Sequence, residues 1–387
     1  MNLFSDFNFF ACLVLISIPA IILGISERQI KYYGMTATLF FIWMAMGSNL
    51  QALAYLGAYC LLEFLLVITF VRLNKRFKRN QILYLIYIIA AISPLAITKI
   101  AGLYDLKVFA FLGISYMTFK SVQIIIEIFD GIIQQINPFD FMYLLLFFPT
   151  LTSGPIDRSR RFKVDLEQIP SKSEYLELLG QGLFKICLGI VYKMIIATAF
   201  YQLEIRLGMG WDITSTLIYM YSYGFYLFFD FAGYSLMAIG VSYIFGIRTP
   251  ENFNKPFISK DIIEFWDRWH ITLSHWFRDF IFSRIMMRAI KGSWFKGKLT
   301  RASFGFIINM TVMGVWHGLS MQYILYGLYH GILLSFTEMY QKKFKLHKKY
   351  KKEKWYKLLC WFITFNLIMF GFFIFSGRFN VLVERVL

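Results

Sequence analysis

The chain has 387 residues and carries 40 Lys and Arg against 23 Asp and Glu, a formal net charge of +17, yet only 16% of it is charged while 58% is hydrophobic and 20% aromatic. Soluble chains average about a quarter charged residues, so this composition excludes a string of soluble domains and describes an integral membrane protein. The positive excess sits in short loops between apolar runs, which removes nucleic acid as its explanation and leaves the positive-inside signal of cytoplasmic loops, with docking of an acidic cytosolic partner as the lesser reading.

The first apolar run, ending at Ile25, has Asp6 before it where a signal peptide would carry a basic flank, and Arg28 and Lys31 after it. It reads as a retained transmembrane helix, interrupted by Pro19, with its N-terminus outside the cytoplasm. Further apolar runs lie at 34–48, 52–71, 82–98, 102–118, 138–152, 178–203, 213–230, 231–247, 303–320, 322–339 and 356–376. Together they predict about eleven spanning helices in one polytopic domain over 1–387, some of them tilted, broken or re-entrant. The basic loops 72–79, 158–163, 284–301 and 342–352 all read as cytoplasmic, so some of the runs between them dip in and return.

Two stretches are not ordinary spans. Residues 119–137 hold Lys120, Glu127 and Asp130, too polar for lipid, and belong at the interface or inside the bundle. Within 249–300, Pro250 and Pro256 break the helix, and Trp and Phe then alternate with Asp, Arg and His in an amphipathic or broken helix. Irregular backbone at membrane depth is tolerated only against protein or water, which makes this a place for a site. Cys12, Cys60, Cys187 and Cys360 are scattered without CxxC spacing, so neither a disulfide framework nor a metal site is expected.

The five histidines divide by surroundings. His347 lies among lysines and reads as solvated, His275 as interfacial, and His330 as a hydrogen-bonding partner of a neighbouring helix. His270 and His317 each follow a tryptophan, and an imidazole at membrane depth is a candidate functional group. The residues alone leave that pair open between a site and satisfied core groups. Asp230 reads as a structural partner of a Tyr or Arg, Asp157 and Arg158 as a capped turn, and Glu63 as bundle-facing. Asp267 and Arg268 either pair locally or orient His270. The chain has no HExxH, GxSxG, P-loop or GxGxxG pattern.

Trp269-His270, followed by Gly314-Val315-Trp316-His317-Gly318, resembles the membrane-bound O-acyltransferase (MBOAT) superfamily. The segments Phe111–Lys120, Ser153-Gly154-Pro155-Ile156-Asp157-Arg158, Phe228–Ser235, Phe265–His270 and Tyr323–His330 narrow the resemblance to the branch serving teichoic acid D-alanylation in Gram-positive bacteria. The likeness runs from about residue 8 to the C-terminus. It implies an all-α membrane protein with a ring of helices around a central funnel and tunnel, and with re-entrant and interfacial helices. By the same resemblance, a cytosolic D-alanyl carrier protein presents D-alanine as a thioester on its phosphopantetheine, which arrives with the carrier and is not a resident cofactor. The D-alanyl group then passes outward to esterify lipoteichoic acid, with a membrane-anchored D-alanyl transfer protein and a small membrane peptide as further partners. His317 matches the family's catalytic histidine and His270 its second active-site position. Ser283, Met286, Met287 and Arg288 match the carrier-docking region.

The chemistry suits the residue types, since acyl transfer to a hydroxyl needs a base and a group that stabilises the oxyanion. Three rival readings differ in kind. An exopolysaccharide O-acetyltransferase of the same superfamily shares the paired histidines. A transporter predicts related halves with matched broken helices, and no such pairing is visible. A scaffold that only recruits the carrier needs no catalytic base.

Overall fold

The computed structural model describes residues 3–77, 79–106 and 108–386; Lys78, in the first basic loop, and Lys107 lie outside them. In chain order the helices are α1 (Phe7–Ile25), α2 (Lys31–Met46), α3 (Leu50–Arg76), α4 (Gln81–Gly102), α5 (Ile114–Phe129), α6 (Pro138–Leu146), α7 (Ser159–Glu167), α8 (Lys172–Ile190), α9 (Thr198–Leu207) and α10 (Ile213–Ile244). They continue as α11 (Ile262–Trp266), α12 (Ile271–Phe277), α13 (Ser283–Lys291), α14 (Lys298–His317), α15 (Met321–Lys343), α16 (Lys345–Tyr350), α17 (Lys354–Phe375) and α18 (Arg378–Val386). The protein is all-helical, as expected. Asparagine caps start several helices: Asn49 accepts from the Ala52 N–H at 3.0 Å, Asn80 from Ile82 at 2.9 Å, and Asn137, ahead of Pro138, from Phe139 at 2.9 Å.

Among the described residues, six helical stretches are long and apolar enough to cross a membrane: Phe7–Ile25, Leu50–Arg76, Gln81–Gly102, Lys172–Leu207, Ile213–Ile244 and Lys354–Phe375. Their apolar side chains are left open on the outside, with Ile82 70%, Phe184 67% and Ile89 66% exposed. Such a surface suits lipid and not water. The remaining expected spans come out differently. The runs 213–230 and 231–247 join in one helix, α10, about 48 Å long at 1.5 Å per residue. The run 102–118 is not a helix: α4 ends at Gly102 and α5 opens only after Gly113, whose φ is 94° and where a Cβ would meet the Leu151 carbonyl at 2.6 Å. The run 138–152 yields only the nine residues of α6 and one 3₁₀ turn. α14 and α15 have the length, 20 and 23 residues, but not the apolar composition. Pro19 does not break α1, nor Pro94 α4, because carbonyls freed within hydrocarbon would find no water.

By its internal contacts the chain divides into two compact units, Met1–Ile190 with Gly233–Pro250, and Val191–Ala232 with Glu251–Leu387. The first is built on rings: Phe41 stacks on Phe148 at 4.4 Å, with Phe9 at 5.3 Å from Phe41 and Phe245 at 5.5 Å from Phe148. Here α5 is buried over almost its whole length, Lys120, Gln123 and Glu127 included. The polar stretch at 119–137 therefore begins inside the packing. Lys120 donates to the Leu144 carbonyl at 2.8 Å and to Thr150 at 3.2 Å. Asp157 accepts from the Arg158 N–H at 2.7 Å, the turn expected there, and is also held by Arg161, which reaches Asp165 and the Arg248 carbonyl as well.

The second unit holds the hairpin of α14 and α15. Its helices pack so closely that a Cβ on Gly327 would lie 2.4 Å from the Met310 carbonyl, and one on Gly314 would lie 2.3 Å from that of Tyr323. Gly327 and Gly331 form a small-xxx-small stripe, which lets two helices approach where lipid supplies no hydrophobic drive.

Candidate active site

His317 is the last residue of α14 and is half-buried. Aromatic rings enclose it: Trp316 at 4.6 Å, Phe375 at 5.1 Å, Tyr323 at 6.2 Å and Tyr326 at 6.3 Å. Tyr323 and Tyr326 come from the start of α15, so the glycine-packed hairpin places them.

His270 lies at a break in the backbone between α11 and α12, outside the six candidate spans. Its φ of 43° and ψ of 53° are left-handed, a conformation that costs a non-glycine residue about 1–2 kcal/mol. Asn252 and its neighbours hold it there. The Ile271 N–H donates to the Asn252 carbonyl at 2.9 Å, the Asn254 N–H to the Arg268 carbonyl at 3.0 Å, and the Thr272 hydroxyl to Asn252 Oδ1 at 2.6 Å. Asn252 is fully buried. A strained turn fixed from both sides is what a positioned functional side chain requires.

The His270 ring is buried, with the edge of Phe231 against it at 4.7 Å and its Nε2 without a hydrogen-bond partner. Burial lowers its pKa well below the usual imidazole range, and the His317 ring lowers it further. The two imidazoles are thus near enough to interact, and His270 is neutral at pH 7. The structure brings these two sequence-identified residues together.

The other histidines have structural partners. His330 accepts from the Trp266 indole at 3.4 Å, the bond to a neighbouring element expected of it, and α17 closes over its Nε2, where a Cβ on Gly371 would stand at 2.7 Å. His275 is 3.9 Å from Asp267. His347 is not simply solvated: it is half-buried and hydrogen-bonds Tyr356 at 3.1 Å, because α16 folds it back on α17. Asp267 also meets Arg278 at 3.5 Å and Arg268 pairs with Glu264 at 2.9 Å, so both pair locally and do not orient His270. Asp230 is ion-paired with Lys193, the structural role expected but with a lysine as partner. Glu63 is fully buried in the first unit.

The four residues matched to carrier docking lie on α13, which follows a π-helical stretch, Arg278–Phe282. Met287 and Arg288 are exposed, Met286 faces Gly305 of α14, and the Ser283 hydroxyl donates back to the Asp279 carbonyl at 2.6 Å. A cavity of about 250 Å³ is lined by the polar Asp267, His275 and Arg278 and by the apolar Phe282, which precedes Ser283, with Phe306, Met310 and Met313 of α14. Met313 lies one helical turn before His317 on the same face of α14.

Sequence reasoning missed Asn252 and Thr272, which pin the His270 turn, and no local signal marks them. It also missed the glycine stripe, although Gly327-xxx-Gly331 is readable as a helix-packing motif.

The model of the MBOAT, membrane-bound O-acyltransferase family, matches residues 22–379. The chain is 39% identical over 390 residues to the teichoic acid D-alanyltransferase of Bacillus subtilis (strain 168), covering 98% of each. It is 38% identical to the teichoic acid D-alanyltransferase of Streptococcus thermophilus over 92% of this chain and 90% of that one. The protein of Pseudomonas aeruginosa named probable alginate O-acetylase is 33% identical, over 69% of this chain and 49% of its own length.

Proposed function

The chain belongs to the membrane-bound O-acyltransferase family and is a multi-pass membrane acyltransferase, and from that premise we propose that it is a teichoic acid D-alanyltransferase. In this reading it takes D-alanine from the phosphopantetheine thioester of a cytosolic carrier protein and passes it outward to esterify lipoteichoic acid. The observation that carries the reading is the near end-to-end likeness to two teichoic acid D-alanyltransferases, which includes the segments holding both histidines. The alginate-acetylation alternative rests on a match to only 49% of that relative.

His317 is the proposed general base. It takes the proton of the acceptor hydroxyl as the oxygen attacks the thioester carbonyl; collapse of the tetrahedral intermediate expels the thiolate, which recovers that proton. His270, neutral and with a free Nε2, is proposed to orient the acceptor or to polarise the carbonyl. The cavity one turn along α14 from His317 supports approach of an extended thioester arm, and Met287 and Arg288 on the outer face of α13 support carrier docking. The membrane-anchored D-alanyl transfer protein and the small membrane peptide are proposed as partners for the outward half of the route.

The test is His317→Ala as the sole copy in cells. D-alanyl ester on the envelope should fall to background while protein level and carrier capture persist. Wild-type ester content with carrier capture intact would overturn the catalytic role and favour a scaffold that only recruits the carrier.

A further inference from the structure

A second cavity, of about 660 Å³, lies among α15, α16, α17 and the segment before α11, and the proposed reaction makes no use of it. Its apolar lining comes from Leu333 and Phe336 of α15 and Leu359, Ile363 and Leu367 of α17, with Phe336, Leu359 and Ile363 open to the outside. Lys260, Lys351, Lys357 and His347 stand at its rim. The lysines are exposed and enter no ion pair among the described residues. Asp261 and Glu264 also line the rim, but both are engaged. Asp261 accepts from the Glu264 N–H at 2.8 Å and from Gln341 at 3.0 Å, and Glu264 is paired with Arg268. Arg268 neutralises Glu264, and the three lysines outnumber the remaining carboxylate of Asp261, so the rim is net positive, and the lysine-rich run at 342–352 adds to it.

The dimensions decide what fits. From Tyr356 to Leu367 the α17 wall descends about 16 Å at 1.5 Å per residue. That is close to half of a ~30 Å hydrocarbon core, or one leaflet. The cavity thus has a cationic rim at the level of the basic loop and one leaflet's depth of apolar wall below it. A free phosphate would not need that wall, and a soluble peptide would not match its depth.

We propose that this cavity is a binding site for one anionic phospholipid of the cytoplasmic leaflet, its phosphate against Lys260, Lys351 and Lys357 and an acyl chain along Phe336 and Ile363. Basic pockets between transmembrane helices on that side are suited to acidic headgroups. The site is independent of the acyl-transfer reading.

The full-length protein, purified and placed in nanodiscs of mixed phosphatidylcholine and phosphatidylglycerol, should retain phosphatidylglycerol preferentially when lipids are counted by native mass spectrometry. In the Lys351→Gln/Lys357→Gln double variant that preference should fall about ten-fold. Ile363→Trp, which fills the apolar depth and leaves the rim intact, should remove the retained lipid while the protein stays monodisperse. Equal retention of the two lipids by the wild type, as for ordinary annular lipid, would overturn the proposal. So would an unchanged preference in the double variant, or displacement of the lipid by millimolar inorganic phosphate.

Discussion

The segment around α5 and the segment from α11 to α14 both bury titratable groups in apolar surroundings, and they do so in opposite ways. In the first, Lys120 finds a carbonyl and a hydroxyl, and Asp157 is clasped by Arg161 and a backbone N–H. Both groups have hydrogen-bond partners, and the network ties α7 to the Arg248 carbonyl. In the second, His270 sits on a strained turn with an unpartnered Nε2, near enough to His317 for the two imidazoles to interact. Fully partnered buried groups hold a fold together, whereas an imidazole nitrogen left unpartnered at a fixed place, as at His270, is available to a substrate.

Mutation can break or sharpen this contrast. The largest effect is expected for His317→Ala, a loss of about 10²–10⁴-fold in transfer with little change in thermal stability, read by ester formation in proteoliposomes beside an unfolding curve. Arg161→Ala should do the reverse. It strands the buried Asp157 carboxylate and should cost about 2–3 kcal/mol, less than for a wholly buried pair because Arg161 is partly exposed. The Asp157→Asn/Arg161→Gln pair should recover part of that loss in the same melting assay; no loss in the single variant would remove the network's structural role.

Gly327→Ala should sit between the two classes. Its methyl group would lie 2.4 Å from the Met310 carbonyl and must push α14 away from α15, moving His317. Both stability, by about 1–3 kcal/mol, and transfer should fall together. The smallest effect is expected for His330→Gln, which keeps an acceptor for the Trp266 indole. Transfer should remain within about two-fold of wild type, since a hydrogen bond of this kind contributes only ~1 kcal/mol. A catalytic-scale loss there would erase the distinction drawn between His330 and His270.

Much of this was legible without coordinates because membrane physics acts on single residues. His270 and His317 stood out because imidazoles are rare and costly in such surroundings, and His330 and Asp230 read correctly as partnered groups. The helix inventory was less legible. The runs at 213–230 and 231–247 fused because nothing within α10 is a strong breaker, and the run at 102–118 failed because Gly113 needs a left-handed turn against Leu151. His347 was misjudged because the lysines around it conceal the fold-back of α16 onto Tyr356.

Composition and motif order by themselves determined the membrane class, the all-helical architecture and the acyltransferase family, and singled out the two candidate histidines. These rest on the free energy of placing each residue in lipid or on residue identities that need no partner. Only the tertiary structure decided which buried polar groups are neutralised and which are left free. That depends on residues far apart in the chain, Asn252 against Thr272, Trp266 against His330 and Gly327 against Met310, whose meeting no local pattern records.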